Sequence, residues 1–157
     1  EHFLFVETEY VNTEIFILNH VLMGSIPLPI GDEIGIFDGD LTVGGVIYTG
    51  ETGQRAFAWR DDNETSEQDG FENGHEISFR YFTNNEELGP LTVEYIGGNT
   101  SGLFYQGGYA EVNLNVASIP DNLSLVEGWN LISFDVQIEN NDPVVVFAKY
   151  QKQKYNY

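Results

Sequence analysis

Short runs of alternating aromatic or β-branched residues, each ended by Gly, Asn, Asp or Pro, constrain this chain more than any other feature. They read "HFLFVE", "TEIFILNH", "DEIGIFDG", "TVGGVIYTG", "QRAFAWRD", "HEISFRYF", "GPLTVEYI", "YAEVNLNVA", "LSLV" and "WNLISFDV". A period of two puts successive side chains on opposite faces of a strand, so each run can offer one face to a core. Helical periodicity is missing until the last residues. The expected fold is therefore all-β, an antiparallel β-sandwich of jelly-roll or immunoglobulin-like type, with a short C-terminal helix.

Alternation also assigns faces. In "EIGIFDG", Ile34 and Ile36 share one face and Gly35 and Phe37 the other; in "EISFRYF", Ile77, Phe79 and Tyr81 oppose Ser78, Arg80 and Phe82. One face of each should be core. The Asp-Gly of "FDGDL" predicts a tight hairpin, because both central residues tolerate positive φ. At 157 residues the chain suits one full domain. A turn at Ile119-Pro120-Asp121-Asn122 suggests a β-sandwich module over 1–118 and a separate segment over 119–157. In that segment, Glu127-Gly128 reads as a hairpin turn, and Asp142 with Pro143 as the cap and first position of a helix. It either docks on the sandwich or opens a neighbouring module.

Charge narrows the partners. The chain has 25 acidic and 6 basic residues, a formal net charge of -19, and Arg55, Arg60 and Arg80 are the only basic residues before Lys149. Such a surface repels phosphates, so nucleic acid is not an expected partner. No apolar run approaches the roughly 18 residues of a membrane-spanning helix, and no basic-then-apolar targeting segment occurs, so the chain is expected to begin as a mature fragment would. The absence of cysteine leaves no disulfides and no thiolate chemistry.

The phrases "GDEIGIFDGDLTVGG", "DDNETSEQDGFENGHEISFRYF" and "SLVEGWNLISFDV", in that order, resemble a β-sandwich module of large multi-domain secreted bacterial proteins. The resemblance covers residues 1 to about 135. It implies a secreted or cell-surface, non-catalytic module of the carbohydrate-binding kind, covalently linked to neighbouring domains. It carries no catalytic residue.

Two residue classes could form a site. Calcium takes six to eight oxygen ligands, and the loop after Trp59 offers Asp61, Asp62 and Asp69 among other acids and amides. The loop is either a structural Ca²⁺ site or a solvated loop whose Asp and Asn residues cap turns. The Asp38-Gly39-Asp40 turn reads mainly as a hairpin, with Asp38 or Asp40 available to complete a site on that loop. Sugar binding instead needs exposed rings for the apolar faces of the pyranose and nearby amides for its hydroxyls. Trp59, Tyr48, Tyr105, Gln106 and Tyr109 are the candidates. Trp59 also reads as a core residue sharing a face with Phe57.

Enzyme signatures are lacking. His2, His20 and His75 are scattered, and neither a Gly-x-Ser-x-Gly nucleophile turn nor a phosphate loop occurs. The expectation is a non-catalytic module that binds polysaccharide, without membrane insertion. A calcium-stabilised structural or adhesion spacer is the alternative. A small acidic hydrolase, which would need paired carboxylates across a groove, stands third.

Overall fold

The computed structural model describes residues 2–7, 12–62 and 65–116, all within one compact unit, Glu1–Pro120. The boundary expected near residue 118, the hairpin before Trp129 and the helix opening at Asp142 lie outside the described residues.

The fold is all-β. Nine strands form in chain order: β1 (Thr13–Met23), β2 (Ile26–Pro27), β3 (Glu33–Asp38), β4 (Leu41–Ile47), β5 (Gln54–Trp59), β6 (Ile77–Thr83), β7 (Glu86–Leu88), β8 (Thr92–Gly98) and β9 (Tyr109–Val116). They join in one sheet, ordered β7-β6-β3-β4-β5-β1-β9-β8, with β2 paired to β1. Among the described residues β1 and β9 run parallel and the other pairs antiparallel. The sheet is thus mixed and continuous, where an antiparallel sandwich was expected. Antiparallel neighbours can close through a short turn, and the sequence signals only such local pairings. The union of the first and last described strands has no local signal.

This sheet curls strongly. Phe16 of β1 and Phe79 of β6 stand four strands apart, about 19 Å at the usual strand spacing. Their rings nonetheless meet edge to face with centroids 5.2 Å apart. The bend sits where β4 meets β5, paired only at Gly44↔Ala58 and Gly45↔Phe57. A Cβ on Gly44 would run into the Phe57 carbonyl oxygen and approach the Ala58 Cα at 2.8 Å. Only glycine admits so close a backbone approach. Across the gap, Ile77 N–H donates to Gly102 O at 2.9 Å and Leu91 N–H to Phe79 O at 2.8 Å, tying β6 to the chain on either side of β8.

The enclosed core takes one face from β1, β3, β4, β5, β6 and β9, with Leu88 of β7 and Val93 and Tyr95 of β8 packed against it. Ile34 and Ile36, Ile77, Phe79 and Tyr81, and Val112 and Leu114 are buried there, as alternation predicts for β3 and β6. The second face of β3 departs from that pattern. Gly35 and Phe37 are buried too, because residues 2–7 cross the sheet's outer surface in extended form and place Phe3 over Gly35. "HFLFVE" accordingly behaves as a strap and joins no strand ladder among the described residues.

Turn chemistry explains two hairpins. Gly39 has φ 60° and Asp40 follows with negative φ, so the β3–β4 turn uses Gly39-Asp40 as its central pair, the type II′ pattern with glycine first. In the β6–β7 hairpin Asn84 (φ 47°) and Asn85 (φ 64°) both take the left-handed conformation of a type I′ turn.

Gly44→Ala should lower unfolding free energy by about 3 kcal/mol or more, because the obstruction is backbone that cannot rotate away. Urea unfolding of the variant measures this; an unchanged midpoint would show that the β4–β5 corner has slack.

Candidate functional site

One end of the sheet gathers most of the candidate residues. The β5–β6 loop, the β8–β9 loop, the Gly39-Asp40 turn and the start of β1 all emerge there. The loops are stitched to one another: Phe71 N–H donates to Trp59 O at 2.8 Å, Gly74 N–H to Phe104 O at 2.9 Å, and Gly107 N–H to Thr13 O at 2.8 Å. Beneath them the Phe71 and Phe104 rings stack at 4.6 Å. This end is therefore a rigid floor with loops fastened to it.

An open depression of about 510 Å³ lies between the two long loops, lined by Asn73, Asn99, Ser101, Leu103 and Tyr105 among others. Tyr105 is 64% exposed and Tyr109 50%. Each ring rests against glycine: Tyr105 Cδ1 would lie 3.2 Å from a Cβ on Gly108, and Tyr109 Cε2 2.8 Å from one on Gly98. Asn99 N–H donates to Tyr109 O at 2.7 Å, which puts Tyr109 beside the rim.

The other ring candidates are elsewhere. Trp59 is only 9% exposed and lies with Phe57 on the sheet, ring centroids 6.5 Å apart, so it presents no stacking platform. Tyr48 is 6% exposed and belongs to the opposite end, where its N–H donates to Asp32 O. For Trp59 the burial agrees with the core reading that its place beside Phe57 offered, and Tyr48 is part of the core cluster. Gln106 is at the site, but its amide is committed. It accepts from Arg60 Nη1 at 2.9 Å and donates to Asn12 Oδ1 at 2.7 Å, while its backbone N–H donates to Asn73 Oδ1 at 2.8 Å.

The acids are dispersed as local anchors. Asp38 accepts from the Glu72 N–H at 3.0 Å, from Gln68 Nε2 at 3.2 Å and from His75 Nδ1 at 2.9 Å, fastening the β5–β6 loop to the hairpin. Asp40 pairs with Arg80 at 2.9 Å. Asp61 Oδ1 accepts from the Asp69 N–H at 2.8 Å, which pins the far part of the β5–β6 loop back to its start. Asp62 also has a partner. Asp69 differs: Thr65 donates to its Oδ2 at 3.4 Å, while its Oδ1 is buried with no partner among the described residues. Among those residues no three His, Cys, Asp or Glu side chains converge as a metal ion would require.

Sequence reasoning missed the residue on which the β8–β9 loop hangs. Glu14 is fully buried, in phase with Phe16 and Leu18 on the inner face of β1. One carboxylate oxygen accepts from Asn99 Nδ2 at 2.8 Å and the other from the Tyr105 N–H at 2.7 Å. Asn99 Nδ2 also donates to Leu103 O at 2.7 Å, and Ser101 Oγ donates to Asn99 Oδ1 at 2.7 Å. A signal existed, since "TEIFIL" alternates in two phases and the inward one begins with glutamate.

Burial raises the Glu14 pKa above its ordinary value, outweighing the two hydrogen bonds that favour the carboxylate. Tyr95, whose hydroxyl is buried without a partner among the described residues, is pushed up to about 12 by burial and then by the negative charge of Glu14 and Glu76. The floor of the site is thus acidic and poorly hydrated.

Comparison with protein-family models, with curated proteins and with solved structures finds no match to this chain.

A raised carboxyl pKa means that the folded state holds the proton more tightly than the unfolded one. The Glu14 contribution is therefore fully present below the unfolded value, 4.5, and is lost as pH rises through the folded value. Melting of Glu14→Gln, which cannot ionise, should improve relative to the parent as pH is raised from 4 to 7. A constant difference between the two midpoints across that range would remove Glu14 ionisation from the stability profile.

Proposed function

We propose that this chain is a non-catalytic carbohydrate-binding module that takes polysaccharide at the Tyr105 and Tyr109 end, as part of a larger secreted or surface protein. One observation carries the reading: a solvent-exposed tyrosine, Tyr105, lines an open depression on a loop held from below by Glu14, and a second exposed tyrosine, Tyr109, opens β9 at the end of that loop. Tyrosine offers an apolar face to the C–H side of a pyranose and a hydroxyl to its rim, at small rotamer cost. Leu103 adds apolar surface, while Asn73 and Ser101 supply polar groups beside it. The negative body favours neutral glycans over polyuronic or sulfated ones.

Affinity electrophoresis through gels containing neutral polysaccharides tests this. Retardation by at least one of them is expected, with Tyr105→Ala and Tyr109→Ala each weakening binding about tenfold, or about 1.4 kcal/mol. Neither substitution should change the melting temperature, since both rings are largely outside the core. Full mobility in every gel would defeat the reading.

A second reading, the calcium-stabilised spacer, has its own support in the Asp69 Oδ1, which is buried beside Asp61 with no partner among the described residues. On that reading calcium raises the melting midpoint over an EDTA control and Asp69→Asn abolishes the rise, because a ligand held only by the folded state stabilises it by mass action. Equal midpoints in calcium and EDTA would exclude it.

A further inference from the structure

On the outward face of β3, β4 and β6, two glycines that face each other across the ladder, Gly35 and Gly45, leave a groove bare of side chains. Residues 2–7 lie in it. The Phe3 ring sits over Gly35, where a Cβ would come within 2.8 Å of it, and the Phe5 ring reaches Gly45, where a Cβ would stand 3.5 Å away. Phe3 is buried and meets the Phe37 ring edge to face at 5.5 Å. His2 stacks flat on Phe82 with centroids 3.7 Å apart.

Polar contacts at the groove are equally specific. The Glu33 carboxylate accepts the backbone N–H of His2 at 2.8 Å and that of Phe3 at 3.2 Å, gripping two consecutive amides. His2 Nε2 lies 3.1 Å from Glu87, which also pairs with Arg80 at 3.0 Å, and the Arg80 guanidinium lies 4.2 Å over the Phe37 ring that backs Phe3. Every one of these contacts is made through side chains of the sheet. Residues 2–7 take no part in a strand ladder among the described residues, so the sheet is complete beneath them.

A chain segment that is integral to a sheet contributes ladder hydrogen bonds; a segment recognised by pockets for its alternate side chains is bound as a peptide ligand is. We propose that the Gly35/Gly45 groove is a peptide-binding site for an extended segment of the pattern His-Phe-x-Phe, and that residues 2–7 are its resident ligand, separable from the body of the fold. The pattern follows from the groove. Phe82 takes a flat ring, Gly35 a buried ring, and Gly45 a second ring two residues on, with the intervening Leu4 75% exposed and unread. The short link through residues 8–11 keeps the ligand at an effective concentration of roughly millimolar, so even a modest intrinsic affinity fills the site. The groove shares no residue with the tyrosine-rimmed depression.

To test this, a protease recognition sequence is placed across residues 8–11 of the full chain and cut after folding, and the ¹⁵N-labelled product is freed of the released peptide by dilution and filtration. Synthetic peptide of residues 1–7 is then added. The proposal expects a folded body whose Gly35 and Gly45 amide signals shift saturably at a peptide concentration below about 1 mM, and a Phe3→Ala peptide that leaves them unmoved. A folded body with no saturable shift would overturn it, and so would a body that unfolds on cutting, since the strap would then be part of the core. Gly35→Ala in the uncut chain gives a second readout. The atoms nearest its new methyl belong to the Phe3 and Phe37 side chains and not to backbone, so the sheet should stay folded while residues 2–7 become open to proteolysis. A strap as protected as in the parent would count against the groove as the recognition element.

Discussion

The backbone of β5 comes so close to β4 that the Phe57 carbonyl oxygen occupies the place where residue 44 would carry a side chain. The rest of the fold depends on that contact. With Gly44 and Gly45 at the corner, the sheet can turn sharply enough to bring Phe16 against Phe79, and one continuous ribbon encloses a core without dividing in two. The same turn lets the loop after β8 reach the start of β6, and so assembles the long loops over one floor.

That floor is unusual in being polar at its centre. An inward position of β1 that would ordinarily hold an aliphatic residue holds Glu14, and its two oxygens hold the β8–β9 loop at Asn99 and Tyr105. Burying a carboxylate costs free energy that its hydrogen bonds only partly offset, which the raised pKa expresses. What results is definition. Tyr105 is exposed yet anchored through its own backbone, and Gln106 next to it ties Arg60, Asn12 and Asn73 into the same arrangement. An exposed ring on an ordered loop loses little freedom when something stacks on it.

Strand identity was legible wherever the alternation was clean. Ile77, Phe79 and Tyr81 form the inner face of β6 as their spacing predicts, and Asp38-Gly39-Asp40 closes a hairpin. Legibility failed where a second layer or a distant partner decided the outcome. Alternation gives β3 one core face, and nothing near Phe37 announces that residues 2–7 will lie across it and bury the other. Tyr48 looked available because a strand-end tyrosine carries no local sign of whether its ring joins the core, and Trp59, readable either as core or as platform, is buried. "TEIFIL" permits either phase, and only the pairing of Glu14 with Ala58 shows which one faces inward. The acids of the loop after Trp59 and of the Asp38-Gly39-Asp40 turn were visible as groups, but their dispersal among a histidine, an arginine and backbone amides is a property of the folded loops.

The parallel union of β1 and β9 bears on how such a chain must be made. Ile15 pairs with Tyr109 and Met23 with Val116, so β9, the last of the described strands to be synthesised, lies alongside β1, the first of them. Until β9 has emerged, β1 shows an open edge and β8 has no neighbour at all, and neither can be satisfied by residues close in sequence. Until then Phe16, Leu18 and Val21 lack the Val112 and Leu114 side chains that share their core. For a chain of this topology the hazard of synthesis is the interval before β9, during which two such unfinished edges on neighbouring chains can find each other instead.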